Sequence, residues 1–304
     1  MEFLYFLEEI RFPFLNEIML LLTQLGEETA FLVIALVLFW CVDKYTGYYV
    51  LSVGFVGTLL NQFLKLWFRI PRPWVIDPEF SILEQAREGA AGYSFPSGHT
   101  QSAVGTFGAI AYTTPNRWIR RIVLCVAVIV PLSRMYIGVH TPLDVFVSCA
   151  IAMILIVLLK PIVLGNRQKN MPFLFGAMIA LSIGFLCFVE FYPFPGDVDA
   201  HNLASGYQNA YTLMGALFGL LIVYIVDEKW LHFSTKAIWW AQILKVCGGL
   251  VVVLAVKSGL KAPLNILLGE YYGRAARYCL IVLAAGICWP LTFKFFQKLG
   301  SKEK

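Results

Sequence analysis

The sequence is short of charge. Of its 304 residues only 14% are Asp, Glu, Lys or Arg, while 59% are hydrophobic. An ordinary soluble domain is roughly a quarter charged and half apolar, so a water-soluble globule is excluded. The 24 Phe, 14 Tyr and 8 Trp exclude a disordered or coiled-coil chain. Net charge is only +5, and the basic residues come in short clusters between apolar runs. No broad basic patch exists to hold nucleic acid. The cysteines (Cys41, Cys125, Cys149, Cys187, Cys247, Cys279 and Cys288) stand in apolar stretches without a CxxC or Cys/His cluster. They read as small apolar side chains rather than zinc ligands or a disulfide framework. Internal repeats, low-complexity tracts and the basic start of a cleavable signal peptide are also missing, so the first spanning helix is expected to act as an uncleaved targeting signal.

What is present is a series of long apolar runs. At about 20 residues per crossing, nine spans are expected: 24–42, 46–69, 98–115, 118–137, 141–164, 172–193, 206–226, 238–258 and 275–296. The segment 1–23 mixes aromatics with Glu2, Glu8, Glu9 and Arg11 and reads as an interfacial amphipathic helix. The longest polar connection, from Ile70 to Pro96, holds Arg72, Asp77, Glu79, Glu84, Arg87 and Glu88. Lys and Arg mark the cytoplasmic side: Arg117, Arg120 and Arg121 in one connection, Lys160, Arg167 and Lys169 in another, then Lys294, Lys298, Lys302 and Lys304. The connection with Asp197, Asp199 and His201 has neither Lys nor Arg and suits the opposite side. Lys257, Lys261, Arg274 and Arg277 break the pattern: either they bind something anionic, or the last two spans are misplaced.

Three segments place strongly polar residues beside the membrane, all on the expected non-cytoplasmic face. They are Lys65 to Arg72-Pro73, then Pro96-Ser97-Gly98-His99, and finally Ser133-Arg134 through His140 to Asp144. Lys65, Arg72 and Arg134 supply three cations, and guanidinium forks suit phosphate oxygens. Ser97-Gly98-His99 opens a helix whose free N–H groups form an anion site, with Gly98 admitting a close approach. Thr141 is a candidate N-cap and Pro142 a favoured first helical residue. If the helical phase reaches back to His140, Asp144 falls beside its ring. The carboxylate then holds Nδ1–H and leaves Nε2 as nucleophile. His99 remains to protonate a leaving oxygen. Such a set performs phosphoryl transfer without a metal or other cofactor.

At these residues the sequence resembles the type 2 phosphatidic acid phosphatase (PAP2) superfamily, whose three-part signature is K-x6-RP, PSGH and SR-x5-H-x3-D. Lys65, Arg72-Pro73, Pro96-Ser97-Gly98-His99, Ser133-Arg134, His140 and Asp144 match every position. The resemblance covers roughly residues 28–164 and implies an all-α, polytopic membrane helical bundle. A core of about five to six helices (24–164) would be followed by additional C-terminal spanning helices (165–304). It also implies a phosphohistidine mechanism. His140 would attack phosphorus, Asp144 orient it and His99 act as acid and then base, while Lys65, Arg72, Ser97, Gly98 and Arg134 bind the phosphoryl group. A lipid phosphate in the bilayer is the expected partner. The leading substrate is a phosphate monoester of the phosphatidate, phosphatidylglycerophosphate or sphingoid kind. A polyprenyl (undecaprenyl or dolichyl) diphosphate, or a soluble phosphomonoester taken by a glucose-6-phosphatase-like enzyme, is the alternative. Outside enzymology, a phospholipid carrier would need only to bind. Lys245, inside an apparent span, calls for a carboxylate partner, a wet cavity or snorkelling.

Overall fold

A computed structural model describes residues 1–87, 89, 90, 92–196 and 198–299. Glu88, Asp197, Lys302 and Lys304 lie outside the described residues. Among those described, every regular element is helical, the form in which a chain satisfies its own backbone polar groups in lipid. In chain order the α-helices are α1 (Glu2–Glu9), α2 (Pro13–Thr23), α3 (Glu28–Val37), α4 (Lys44–Phe68), α5 (Pro73–Ile76), α6 (Gly98–Thr113) and α7 (Arg117–Tyr136). There follow α8 (Pro142–Leu164), α9 (Arg167–Phe191), α10 (Ala200–Val226), α11 (Trp239–Gly259), α12 (Lys261–Leu268), α13 (Glu270–Leu283) and α14 (Phe293–Lys298).

Among the described residues, six stretches are long and apolar enough to cross a bilayer: Lys44–Ile76, Pro142–Leu164, Lys169–Phe191, Ala200–Leu231, Trp239–Leu268 and Glu270–Lys298. A pair bent by 56°, Pro13–Gly26 and Glu28–Val42, makes a seventh if it is counted as one span. Nine were expected. The candidates at 98–115 and 118–137 drop out for physical reasons. α6 has only 16 residues and buries Thr100, Gln101 and Thr106 along with its small apolar residues, so protein rather than lipid surrounds it. α7 carries Arg117, Arg120 and Arg121 at one end and Arg134 at the other, which shortens its apolar run.

The chain divides into two compact units. The first comprises Met1–Leu32, Tyr49–Gly165 and Phe194–Gly206. Within it α6 packs against α7 and α8. The segment 1–23 forms two helices that pack on this unit. Leu4 of α1 is buried with Phe80, Ile82, Met135 and Val145. Leu15, Met19 and Leu20 of α2 cover a cluster of Ala86, Ala90, Tyr136, Ile137 and Val139. The long connection 70–96 therefore folds down onto the end of α7. Arg11 fastens it, with Nε donating to Tyr136 O at 2.9 Å and Nη1 to Ser81 O at 2.8 Å. Tyr5 donates to Asp77 Oδ2 at 2.8 Å, and that hydrogen bond pushes the phenol up to about 12. Arg87 lies beside Glu84 at 2.7 Å and holds its carboxyl below the usual range.

The second unit comprises Val33–Tyr48, Asn166–Pro193 and Tyr207–Lys304. Two of its buried charges, Asp227 and Lys245, are matched. Lys44 meets Asp227, which is fully buried, at 2.6 Å. Lys245 is fully buried too, and its partner is none of those expected. Its ammonium donates to Trp40 O at 2.8 Å and Thr235 O at 3.1 Å. It also lies 4.1 Å from the ring centre of Phe293. Trp40 belongs to a π-helical turn, Leu38–Val42, and Lys245 provides the donor for its carbonyl. Two carbonyls and an aromatic face stand in for the missing carboxylate.

Candidate active site

The three polar segments converge within the first unit. α4 ends just beyond Lys65, whose ammonium bonds Tyr93 O. After α4 the chain turns, and Arg72 Nε donates to Gly92 O at 3.0 Å while Nη1 donates to Val139 O at 2.9 Å. Ser94 N donates to Ile70 O at 2.8 Å. The first segment is thereby laced both to the loop before Pro96 and to the turn before His140. Lys65, Arg72, Arg134, His140 and Asp144 are all buried.

The geometry around His140 is set by the turn that ends α7. Gly138 has φ +88°, a left-handed conformation that a side chain would strain. A Cβ there would also stand 2.9 Å from Arg11 Nη2. Val139 N donates back to Arg134 O at 3.2 Å, which turns the chain into α8. The helix begins at Pro142, so its phase does not reach back to His140 as the sequence reading supposed. A capping box does the positioning. Thr141 N donates to Asp144 Oδ2 at 2.8 Å, and Asp144 N donates to Thr141 Oγ1 at 3.4 Å. The same Oδ2 lies 3.4 Å from His140 Nδ1 and accepts from Ser94 Oγ at 2.6 Å.

These contacts decide the tautomer. Arg72 Nη1 lies 2.9 Å from His140 Nε2, and a guanidinium only donates. Nε2 must therefore accept, so its lone pair points at Arg72. The proton belongs on Nδ1, facing the Asp144 carboxylate.

Ser97 caps α6, its Oγ accepting from Thr100 N at 3.4 Å. Ser97 N donates to Asp144 O at 3.2 Å, and Asn61 Nδ2 to Pro96 O at 3.2 Å. Both bonds fix where the helix opens. A Cβ at Gly98 would meet only Asn61 Oδ1, at 3.6 Å, among the described residues. That face is open to a ligand. His99, half-buried, makes no hydrogen bond through its ring among the described residues. It lies within electrostatic reach of Arg134, Arg72 and Lys65, and of His140. Arg134 uses Nη1 to reach Thr23 Oγ1 at 2.9 Å, while its buried Nε and Nη2 have no partner among the described residues. Buried guanidinium donors without acceptors are costly, and these belong to a side chain within electrostatic reach of Arg72.

All eight residues expected from the sequence thus fall in one place. Ser94, Asn61 and Thr23 were missed. Ser94 sits two residues before Pro96 in a loop with no periodic pattern, and its partner Asp144 lies fifty residues away. Nothing in the spacing pointed to it. Chemically, the set offers an imidazole lone pair held by a carboxylate at its far nitrogen, a second imidazole, and donors converging from two arginines and a helix start. Among the described residues, no group of three or more His, Cys, Asp or Glu clusters as metal ligands do.

Residues 45–168 match the PAP2 superfamily and residues 211–302 match the PAP2 superfamily phosphatase transmembrane extension. The chain is 30% identical over 164 residues to Phosphatidylglycerophosphatase B of Bacillus subtilis (strain 168), covering 50% of this chain and 76% of that protein. The chain belongs to the PAP2 superfamily. It is a multi-pass integral membrane lipid phosphatase, a hydrolase of phosphoric monoesters or diphosphates, with a PAP2 core and a C-terminal transmembrane extension. Sphingosine-1-phosphate phosphatase 1 of Mus musculus is 25% identical over 263 residues, 79% of this chain and 58% of that protein. Undecaprenyl-diphosphatase BcrC of Bacillus subtilis (strain 168) is 30% identical over 102 residues, 34% of this chain and 50% of that protein. No solved structure matches the chain significantly.

Proposed function

We propose that this PAP2 phosphatase hydrolyses a lipid phosphate monoester through a phosphohistidine on His140, at the non-cytoplasmic membrane face. The observation that carries the reading is the Arg72 Nη1 to His140 Nε2 contact at 2.9 Å. It holds a lone pair ready and marks where a phosphoryl group would sit. An incoming phosphate takes the guanidinium from Nε2 and frees the lone pair for attack in the same movement. Nε2 forms the N–P bond as the ester P–O bond breaks, and His99 gives its proton to the departing oxygen. His99 then accepts a proton from water, whose oxygen bonds phosphorus as the P–N bond breaks. Inorganic phosphate and free His140 result. Asp144, steadied by Ser94, keeps the Nδ1 proton in place and balances the positive ring. Lys65, Arg72, Arg134, Ser97 and the Gly98 amide hold the three equatorial oxygens, where transition-state charge accumulates. Residues 24–164 carry this chemistry, with 1–23 as an amphipathic segment and 165–304 as additional spanning helices.

A monoester is preferred because the alignment with the sphingosine-1-phosphate phosphatase runs over 79% of the chain, whereas that with the undecaprenyl-diphosphatase covers 34%. A phosphate-release panel decides it: phosphatidylglycerophosphate, phosphatidate, a sphingoid phosphate, a polyprenyl diphosphate and a soluble sugar phosphate, each with wild type and His140→Ala. One of the lipid monoesters should be the best substrate, and His140→Ala should be inactive on all. Turnover of the polyprenyl diphosphate alone would overturn the monoester assignment. Activity should also survive EDTA, and strict dependence on added magnesium would contradict the mechanism.

A further inference from the structure

Two arginines in the extension have no carboxylate partner among the described residues. α13 lies tightly on α10 through Gly215 and Gly219. A Cβ at Gly219 would stand 2.9 Å from Cys279 O, and Gly215 is set as closely against Ala275, a small-xxx-small seam. Beside the seam the carboxylates are already engaged by neutral groups. Glu190 accepts from Tyr211 at 2.9 Å, and Glu270 from Gln208 Nε2 at 3.0 Å. Arg274 donates only to Thr212 Oγ1, at 2.8 Å. Arg277, one turn further on, is 6% exposed. It makes no hydrogen bond among the described residues, and its Nε is buried without a partner. Both guanidinium carbons approach the ring of Tyr278, at 5.9 and 5.6 Å. No ion pair within the described residues involves either arginine.

A guanidinium has five N–H donors, and burying an ionised one with no acceptor is strongly unfavourable. In the first unit, Arg134 likewise keeps buried guanidinium nitrogens, Nε and Nη2, without a partner among the described residues, where a phosphoryl group is proposed to bind. We propose that Arg277, with Arg274, forms a second oxyanion site in the extension, and that it holds the phosphate of an anionic phospholipid. Arg277 is the eighth residue of the span beginning at Glu270, so its Cα lies about 10 Å along that helix. A side chain reaching back from there meets head groups. Lys257 and Lys261, at the junction of α11 and α12, add to the positive potential that attracts such lipids. This also accounts for the basic residues that disagreed with the charge bias between membrane sides.

The test uses full-length protein stripped of lipid in dodecyl maltoside, as wild type and Arg277→Met, with phosphatidylglycerol or inorganic phosphate added. Phosphatidylglycerol should raise the wild-type unfolding midpoint and remain bound in native mass spectrometry. Arg277→Met should bind it roughly tenfold or more weakly, the loss expected for a charge-assisted hydrogen bond. Without additives Arg277→Met should be at least as stable as wild type, because it removes a buried charge that the protein leaves unpaired. Millimolar inorganic phosphate reproducing the wild-type shift, and shifting Arg277→Met less, would show that the oxyanion suffices; lipid alone giving that difference would show that the acyl body contributes. Both support the site. An equal phosphatidylglycerol effect on the two proteins, no effect on either, or an additive-free Arg277→Met less stable than wild type would overturn it.

Discussion

Arg134 in the first unit and Lys245 in the second are both almost wholly buried cations, yet they are treated in opposite ways. Lys245 spends its donors on Trp40 O and Thr235 O and rests on the face of Phe293. Arg134 keeps Nε and Nη2 unpaired. A satisfied buried cation belongs to the framework, whereas an unsatisfied one waits for a ligand. On the proposed mechanism the first unit keeps its deficit near Arg72, and the charge of the substrate would complete what folding leaves incomplete.

The sharpest way to break this comparison is to remove the residue that all the donors serve. His140→Ala should lower phosphate release by more than about 10⁴-fold, with an unchanged unfolding midpoint or a small shift. Next comes the paired substitution of the two cations. Arg134→Met should reduce kcat by about 10²- to 10³-fold, and its thermal midpoint should hold or rise because unpaired donors are removed. Lys245→Met should do the reverse. It strands the buried Trp40 carbonyl, at about 1–3 kcal/mol, while Thr235 O keeps Gln242 Nε2, so stability falls while kcat per folded molecule stays within about twofold. A Lys245→Met variant that loses kcat without losing stability would dissolve the contrast. The smallest effect belongs to Ser94→Ala. It takes one donor from Asp144 and should cost about tenfold in kcat, visible as slower turnover at unchanged KM.

The helical membrane fold was legible in the sequence, the number of spans was not, and the residues of the candidate site stood out within it. Lys65, Arg72, Ser97, Gly98, His99, Arg134, His140 and Asp144 were legible because their chemistry is unusual beside a membrane and their spacing is short within each segment. Ser94, Asn61 and Thr23 act only through tertiary contacts fifty, thirty-five and over a hundred residues away, where no local pattern reports them. The spans were overcounted for a related reason. α6 reads as an apolar run, but its neighbours are helices, and a helix buried in protein tolerates Thr100, Gln101 and Thr106 as lipid would not. Lys245 was noticed and its partner was not, since a backbone carbonyl has no signature in sequence.

Quenching the enzyme during turnover of a phosphate-labelled lipid monoester, then mapping the label by peptide mass spectrometry, tests the central claim most directly. Acid-labile, base-stable label on His140 that disappears on chasing with unlabelled substrate is the predicted result. Rapid turnover with label on His99 instead, or with none on His140 even when water attack is slowed by His99→Ala, would contradict it.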